Sequence, residues 1–153
     1  MDETATTAFP YRKILVPCAD EVSAAAAITT AAALATVFDS EVLVLHVVHP
    51  REYLDYAKEH IHDRVAPLPV NALQSFERKL APVLERFAAA GVSAGLYLET
   101  GDPGSKICEL AAAQRADLLV MTRRSLGFWD RLVGGSVTEY VLRHAPCSLL
   151  IAH

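Results

Sequence analysis

The chain has 153 residues, 52% of them hydrophobic and 21% charged, a balance typical of a single globular domain. Its net charge of −4 at pH 7 disfavours a nucleic-acid-binding protein, which usually carries a basic face. No stretch approaches the roughly 20 consecutive apolar residues of a membrane-spanning helix, so we expect no span. The 3 cysteines are widely spaced, which disfavours a disulfide framework or a zinc site and indicates free thiols in the cytoplasm.

The amino-terminal residues 1–10, MDETATTAFP, are acidic and polar. They lack the basic start and the apolar core of a secretory signal, so we interpret them as a flexible tail. The remaining residues, 11–153, contain neither an internal repeat nor a low-complexity linker. We therefore expect them to form one domain.

Apolar runs alternate with helical spacing along the first half of this domain. Tyr11–Pro17 predicts a first strand, and Ser23 is placed to cap an alanine-rich helix that ends near Phe38. Glu41–Val48, EVLVLHVV, is a continuous apolar run that predicts a second, fully buried strand. The segment 49–69 has weak helical spacing before two prolines, so we assign it a short helix.

The same alternation continues to the carboxyl terminus. Asn71–Ala90 has apolar residues at intervals of three and four and precedes Gly91, which predicts an amphipathic helix with a kink at Pro82. Gly101-Asp102-Pro103 offers a turn, an N-cap and a first-turn proline for the next helix. The remaining predictions are strands at Val92–Thr100, Asp117–Met121 and Cys147–Ala152, and helices from Pro103 to about Arg115 and from Ser136 to about His144.

This order of elements predicts an α/β fold, with one doubly wound, five-stranded parallel sheet and helices on both faces. Ligands of such sheets bind beyond the carboxyl ends of the strands at the switch point, here outside the first and fourth strands. The last strand would lie at an edge of the sheet, and an exposed apolar edge favours self-association. We therefore predict a homodimer through Ser148, Leu149, Leu150, Ile151 and Ala152.

The stretch after the fourth strand has the composition of a phosphate site. Gly134 and Gly135 would let a phosphate approach the main chain at a helix start, with the hydroxyls of Ser136 and Thr138 as further donors. An equally concrete alternative is that Ser136 and Glu139 form a capping box that satisfies the helix end, while the glycines only make the turn. The residues leave both interpretations open.

Basic and aromatic side chains precede those glycines. Arg123 and Arg124 are suited to bind phosphates or the carboxylates of a partner, and the alternative is that they are solvated. Phe128 and Trp129 would cover a ligand, contact a protein partner or pack on their own domain. We favour packing, because aromatic residues in loops usually pack on the domain that carries them.

Other polar residues are weaker candidates for ligand binding or catalysis. Asp20 either accepts a hydrogen bond from a ribose or base or caps the following helix, and Cys18 is better explained as a core residue than as a nucleophile. His60 and His62 do not share a helical face, so we expect solvent exposure rather than a metal site. The sequence has no nucleophile elbow and no phosphate-loop lysine, so we assign no catalytic residue and expect no enzyme, although slow ATP hydrolysis stays open.

Two segments, TGDPGSKICELAAAQRADLLVMT and GGSVTEYVLRHAPCSLLIAH, closely resemble the universal stress protein family. YRKILVPCAD and EVLVLHVVHP resemble its first and second strands, so the likeness runs from about Tyr11 to the end. The resemblance implies a fold like that of the adenine nucleotide α-hydrolases, usually dimeric and often joined through the last strand. One branch of the family binds ATP through the pattern G-x2-G-x9-G-[ST] after the fourth strand, and another lacks the pattern.

This chain departs from that pattern. The three glycine positions of the pattern fall at Thr122, Ser125 and Gly135, followed by Ser136. Only the last glycine and the hydroxyl residue after it match the pattern. A Cβ at either of the first two positions would obstruct the approach of a nucleotide or restrict the backbone, unless Gly127 compensates in a shifted loop. The family aspartate that contacts adenine corresponds to Ala19, with Asp20 beside it.

The resemblance implies a cytoplasmic, dimeric stress-response protein that senses ATP or another adenine nucleotide, with Mg²⁺ if the ligand is a triphosphate. Adenine would lie near the first two strand ends, ribose near the fourth, and phosphates on the last helix. The predicted binding residues are Pro17, Asp20, Val47, Val48, Met121, Thr122, Arg123, Arg124, Ser125, Gly135, Ser136, Val137 and Thr138.

Two other functions compete with nucleotide sensing. A nucleotide-independent dimeric adaptor would use the Phe128 and Trp129 loop to bind an unknown protein partner. An ATP-consuming enzyme of the α-hydrolase type ranks last, because the loop after the first strand, Pro17–Glu21, contains no glycine.

Overall fold

The computed structural model describes residues 11–51, 70–123, 129–131 and 136–153. Five parallel strands form one sheet in the order β3-β2-β1-β4-β5. The doubly wound α/β fold predicted from the sequence is therefore confirmed. The strands are β1 (Lys13–Pro17), β2 (Glu41–Val48), β3 (Ala94–Thr100), β4 (Leu118–Thr122) and β5 (Ser148–Ala152), and the helices are α1 (Ala25–Phe38), α2 (Val70–Ala89), α3 (Pro103–Ala113) and α4 (Val137–His144).

The capping residue at the start of α1 differs from the predicted one. Ser23 was expected to cap this helix, and that prediction is wrong, because the N-cap is Ala24, which makes no side-chain capping bond. Ser23 instead belongs to a turn in which its amide donates to the carboxylate of Asp20 at 2.7 Å. The helix predicted within 49–69 lies largely on residues 52–69, outside the described part of the chain.

The helices cover the two faces of the sheet in pairs. Helices α1 and α2 pack on one face, where the alanines of α1 and the larger side chains Leu80, Val83 and Phe87 of α2 are buried. Helices α3 and α4 pack on the other, against side chains that include Leu15, Leu45 and Leu119. Burial on both faces explains why β1, β2 and β4 are nearly continuous apolar runs.

The ends of two helices follow the predicted capping chemistry. Gly91, with φ +72°, follows α2, and the amide of Val92 donates to the carbonyl of Phe87 at 2.9 Å. At the start of α3, the Asp102 carboxylate accepts a hydrogen bond from the Ser105 amide at 3.0 Å, ahead of a first-turn proline.

Helices α3 and α4 approach each other closely at Gly104. A Cβ atom built there would lie 2.8 Å from Cδ1 of Tyr140 and 3.3 Å from its Cβ. The contact involves the base of the side chain as well as the ring, so rotation of the ring alone would not relieve it. Gly104 therefore sets how near α4 can come to α3.

Replacing Gly104 with Ala should destabilise the protein by a net ~1 kcal/mol or more, because overpacking costs about 1–3 kcal/mol and the gain in helix propensity is smaller. The measurement is urea denaturation. Gly95→Ala is the matched control, since the nearest atom to its Cβ would be 3.9 Å away. In a Tyr140→Ala background the cost of Gly104→Ala should fall, because the ring contacts are lost and only the 3.3 Å approach to Cβ remains. An unchanged cost there would contradict the steric explanation.

Candidate functional site

The central strands β1 and β4 part at their carboxyl ends. They pair only through Ile14 with Leu118 and Leu15 with Leu119. Both strands run on, to Pro17 and Thr122 respectively. From this point β1 leads to α1 on one face and β4 leads towards α4 on the other, which is the geometry of a ligand-binding switch point. We call the opening between these two strand ends the switch-point crevice.

At the opposite end the same two strands are held together by Asp117. Its carboxylate accepts hydrogen bonds from the amides of Arg12 at 3.0 Å and Lys13 at 2.9 Å. Its own amide donates to the Lys13 carbonyl at 2.8 Å. The pair is therefore closed at the amino end and open at the carboxyl end.

Thr122 lies where the ATP-binding pattern has its first glycine. Its side chain is 4% exposed, and its hydroxyl donates to the carbonyl of Ser23 at 2.6 Å. The non-glycine residues with positive φ in the described chain are Asp39 and Arg115, so Thr122 has an ordinary strand backbone. A glycine is thus not required here for backbone conformation, and the threonine instead ties the end of β4 to the loop before α1.

The loop after β1 uses its polar groups internally. The Asp20 carboxylate accepts from the Ser23 amide, and the Asp20 carbonyl accepts from the Ala24 amide at 3.1 Å. Of the two roles considered for Asp20, the structure shows a capping role, although the capped unit is the turn ahead of α1. Ala19 is fully buried against the α3 and α4 face.

Cys18 and His46 form a buried pair that the sequence did not identify. Nδ1 of His46 lies 2.8 Å from the Cys18 carbonyl, which can only accept, so Nδ1 carries the proton. The fully buried ring also packs on Phe76, with centroids 5.3 Å apart. Burial, reinforced by the charge of Asp20, raises the pKa of Cys18 to about 12. The thiol therefore stays protonated near neutral pH, as expected for a core residue rather than a nucleophile.

The main chain of Val47 faces the switch-point crevice. The Leu45 carbonyl accepts from the Cys18 amide at 2.8 Å, at the point where β1 ends. Backbone groups alternate sides along a strand, so the amide and carbonyl of Val47 point the same way, past the end of β1. The Val48 carbonyl instead accepts from the Gly101 amide at 3.2 Å, on the β3 side. Of the two predicted valines, the structure thus brings the backbone of Val47 to the crevice.

The side chains of Pro17, Val47, Val48 and Met121 are buried in the sheet. They can meet a ligand only through their main chain or as part of an apolar wall. Arg123, in contrast, is exposed directly beyond β4. It is the predicted cation that the structure describes at this edge.

A cavity of about 370 Å³ opens beside Thr122, between the start of α1 and the ends of β4 and β5. Its volume is at the lower end of the range for small-molecule pockets. A second hollow, of about 420 Å³, lies at the opposite, amino edge of the sheet, where doubly wound folds do not usually bind ligands. The residues lining the first cavity are Val22, Ser23, Ala25, Ala26, Thr122, Arg123, Ala152 and His153.

The start of α4 is capped by two side chains. Ser136 Oγ accepts from the Glu139 amide at 3.0 Å, which confirms the capping role considered for it. Asp130 Oδ1 accepts from the Val137 amide at 2.6 Å. Sequence reasoning missed Asp130, because a residue seven positions before the first helical amide lies outside every local capping motif. Thr138 lies within the first turn of the same helix.

Trp129 is fully buried, as favoured from the sequence, and packs in the same cluster as Val137. Within the described residues its indole Nε1 has no hydrogen-bond partner. Several predicted residues, namely Arg124, Ser125, Gly127, Phe128, Gly134, Gly135, His60 and His62, lie outside the described part of the chain. Among the described residues, no three His, Cys, Asp or Glu side chains gather as a metal site would require.

Comparison with known proteins identifies the family. The model of the universal stress protein family matches residues 10–153. The chain belongs to the universal stress protein family. It is 28% identical over 141 residues to the universal stress protein MJ0531 of Methanocaldococcus jannaschii, a match that covers 92% of this chain and 81% of that protein. It is 35% identical over 72 residues to the universal stress protein Sll1388 of Synechocystis, which is 47% of each chain.

Solved structures share the fold of this universal stress protein. The hypothetical protein MJ0577 matches with a TM-score of 0.71 at 23% identity, covering 93% of this chain and 95% of that one. A universal stress protein in complex with cAMP matches at 0.64 and 24%, covering 94% and 97%. The universal stress protein of Archaeoglobus fulgidus in complex with dAMP matches at 0.67 and 16%, covering 95% and 100%. In the described chain, no helix is both long enough and apolar enough to cross a bilayer.

Replacing Thr122 with Val should cost about 1–3 kcal/mol of unfolding free energy, because the isosteric side chain leaves the Ser23 carbonyl without its hydroxyl donor. Urea denaturation measures the change. Thr100→Val, at an exposed position at the end of β3, is the matched control and should be near neutral. Equal effects of the two substitutions would contradict the bridging role of Thr122.

Proposed function

We propose that this universal stress protein binds an adenine nucleotide in the switch-point crevice. The observation that carries the proposal is the parting of β1 and β4 after Leu15 and Leu119, which opens the sheet where such folds bind ligands. Two structures of the same fold were solved with cAMP and dAMP, which supports an adenine ligand. The proposed positions of the base, ribose and phosphates in this chain are inferred from the groups that face the crevice.

In the proposed complex, adenine lies next to Pro17 and the backbone of Val47. Adenine presents an amino donor beside a ring-nitrogen acceptor, which matches a main-chain carbonyl and amide that point the same way. The adjoining side chains are buried and apolar, and they suit the flat faces of a base. Asp20 stays at the rim, where its carboxylate also holds the turn before α1.

The ribose is proposed to lie near Met121 and Thr122, with the phosphates directed towards the start of α4. Arg123, exposed at the end of β4, would pair with a phosphate. Arg124, Ser125, Gly135, Ser136, Val137 and Thr138 complete the proposed binding set. Magnesium would accompany a triphosphate, bound through its phosphate oxygens rather than by a protein cluster.

The proposed role is sensing rather than catalysis. Nucleotide occupancy would alter recognition of a protein partner during stress, in a cytoplasmic homodimer joined through β5. The edge position of β5 supports this interface, since Leu149, Leu150 and Ile151 are only half-buried in the single chain. The adaptor alternative is weaker, because Trp129, half of its proposed contact surface, lies in the core.

Calorimetry with adenosine, AMP, ADP and ATP, with and without magnesium, tests the proposal. We expect saturable binding of at least one of them. Arg123→Gln should weaken binding of the phosphorylated ligands about tenfold, the effect of losing one charge-assisted hydrogen bond, and should leave adenosine unaffected.

Arg12→Gln is the matched control, because Arg12 is also an exposed arginine but lies at the amino edge, where its main-chain amide rather than its side chain bonds Asp117. It should leave all affinities unchanged. Absence of binding for all four ligands at millimolar concentration would remove the proposed function. An equal loss of nucleotide affinity in both arginine variants would show that the phosphates do not contact Arg123.

A further inference from the structure

The carboxylate of Asp130 occupies the start of α4, where an anionic ligand would bind. Its Oδ1 lies 2.6 Å from the amide of Val137, the first residue of the helix. The amides of the first turn carry the positive end of the helix dipole and attract anions of any origin. An aspartate in this position is therefore a chemical stand-in for one oxygen of a phosphate.

A second donor at the same helix start is also occupied. The amide of Glu139 is bound by the Ser136 hydroxyl at 3.0 Å, so two of the first three helical amides already have side-chain acceptors. The carboxylate of Glu139 is paired with Arg143 at 2.8 Å. A phosphate arriving here would have to displace Asp130 or lie against its negative charge.

Asp130 is held in place by its neighbour. Trp129 is fully buried in the same cluster as Val137, which is itself 3% exposed. The chain is thus anchored on both sides of the hydrogen bond between Asp130 and Val137. Asp130 itself is only half-buried, so a substitution there changes charge at the rim of the core rather than within it.

We propose that Asp130 is a specificity-determining residue, an internal anion that disfavours ligands with several phosphates at the start of α4. This inference rests on the proposed function and sharpens it. The preferred ligand class is then an adenine nucleoside or a nucleotide of low charge, and affinity falls from AMP through ADP to ATP. The polar groups that a triphosphate would need are the ones that Asp130 and Ser136 already satisfy.

The test compares adenosine and ATP binding to the wild type and to Asp130→Asn by calorimetry. Asn keeps an oxygen that can accept from the Val137 amide but removes the charge. We expect ATP affinity to rise at least tenfold and adenosine affinity to stay unchanged. Asp102→Asn is the matched control, because the Asp102 carboxylate also accepts from a helix-start amide, at α3, and the substitution should leave both affinities unchanged.

A second measurement does not depend on nucleotides. In Asp130→Ala the helix start lacks its internal anion, so inorganic phosphate should raise the thermal midpoint of this variant by several degrees relative to chloride at equal ionic strength. The wild type, in which Asp130 already occupies the Val137 amide, should not respond selectively to phosphate.

The outcomes distinguish the role of Asp130 from the proposed binding of an adenine nucleotide. If Asp130→Asn binds ATP no more tightly than the wild type, or gains equally for adenosine, the inference is overturned while the proposed function stands. If no adenine ligand binds either protein, the proposed function fails, and the phosphate measurement decides the role of Asp130. No selective stabilisation of Asp130→Ala by phosphate would then overturn that role as well.

Discussion

The short pairing of β1 with β4 is the constraint on which the candidate site depends. Asp117 holds the two strands together at their amino ends through the amides of Arg12 and Lys13. Beyond Leu15 and Leu119 the strands separate, because the chain must leave them towards opposite faces. The tight end fixes β1 against β4, and beyond Leu15 and Leu119 the two strands are no longer paired with each other. The closed end and the candidate crevice thus come from the same two strands.

The polar groups around this opening already form hydrogen bonds within the protein. Asp20 holds a turn, Thr122 bridges β4 to the loop before α1, and Asp130 and Ser136 cap α4. A buried or half-buried polar group without a partner is costly, so such internal bonds compete directly with those that a nucleotide would make. The ligand that fits best is one that uses groups still facing the crevice, such as the backbone of Val47. A base and sugar are therefore favoured over a long phosphate chain.

Much of the fold could be predicted from the sequence because its signals are local. The apolar run Glu41–Val48 became β2 with unchanged boundaries, and the caps at Asp102 and Gly91 formed as their residue types require. The burial of Trp129 followed from its size and apolar character. These features depend on neighbours within a few residues or on hydrophobicity alone.

The details of the site could not be predicted, because they depend on contacts between residues distant in sequence. The Thr122 hydroxyl meets a carbonyl 99 positions away, and the buried ring of His46 meets Cys18 from another strand. Ser23 was expected to cap α1 because serine is a preferred N-cap residue. In the structure the Ser23 amide donates to the Asp20 carboxylate, and the N-cap of the helix is Ala24. Asp130 accepts from the Val137 amide seven positions further along the chain, a separation that no capping motif anticipates.

The most direct test of the central claim is a map of backbone amide chemical shifts during titration with AMP. We expect the shifts to concentrate at Cys18, Val47 and Arg123, around the switch-point crevice, while the amides of Lys13 and Asp117 at the closed end stay unchanged. Shifts centred on the amino edge of the sheet, or none at saturating AMP, would contradict the assignment of this crevice as the adenine site.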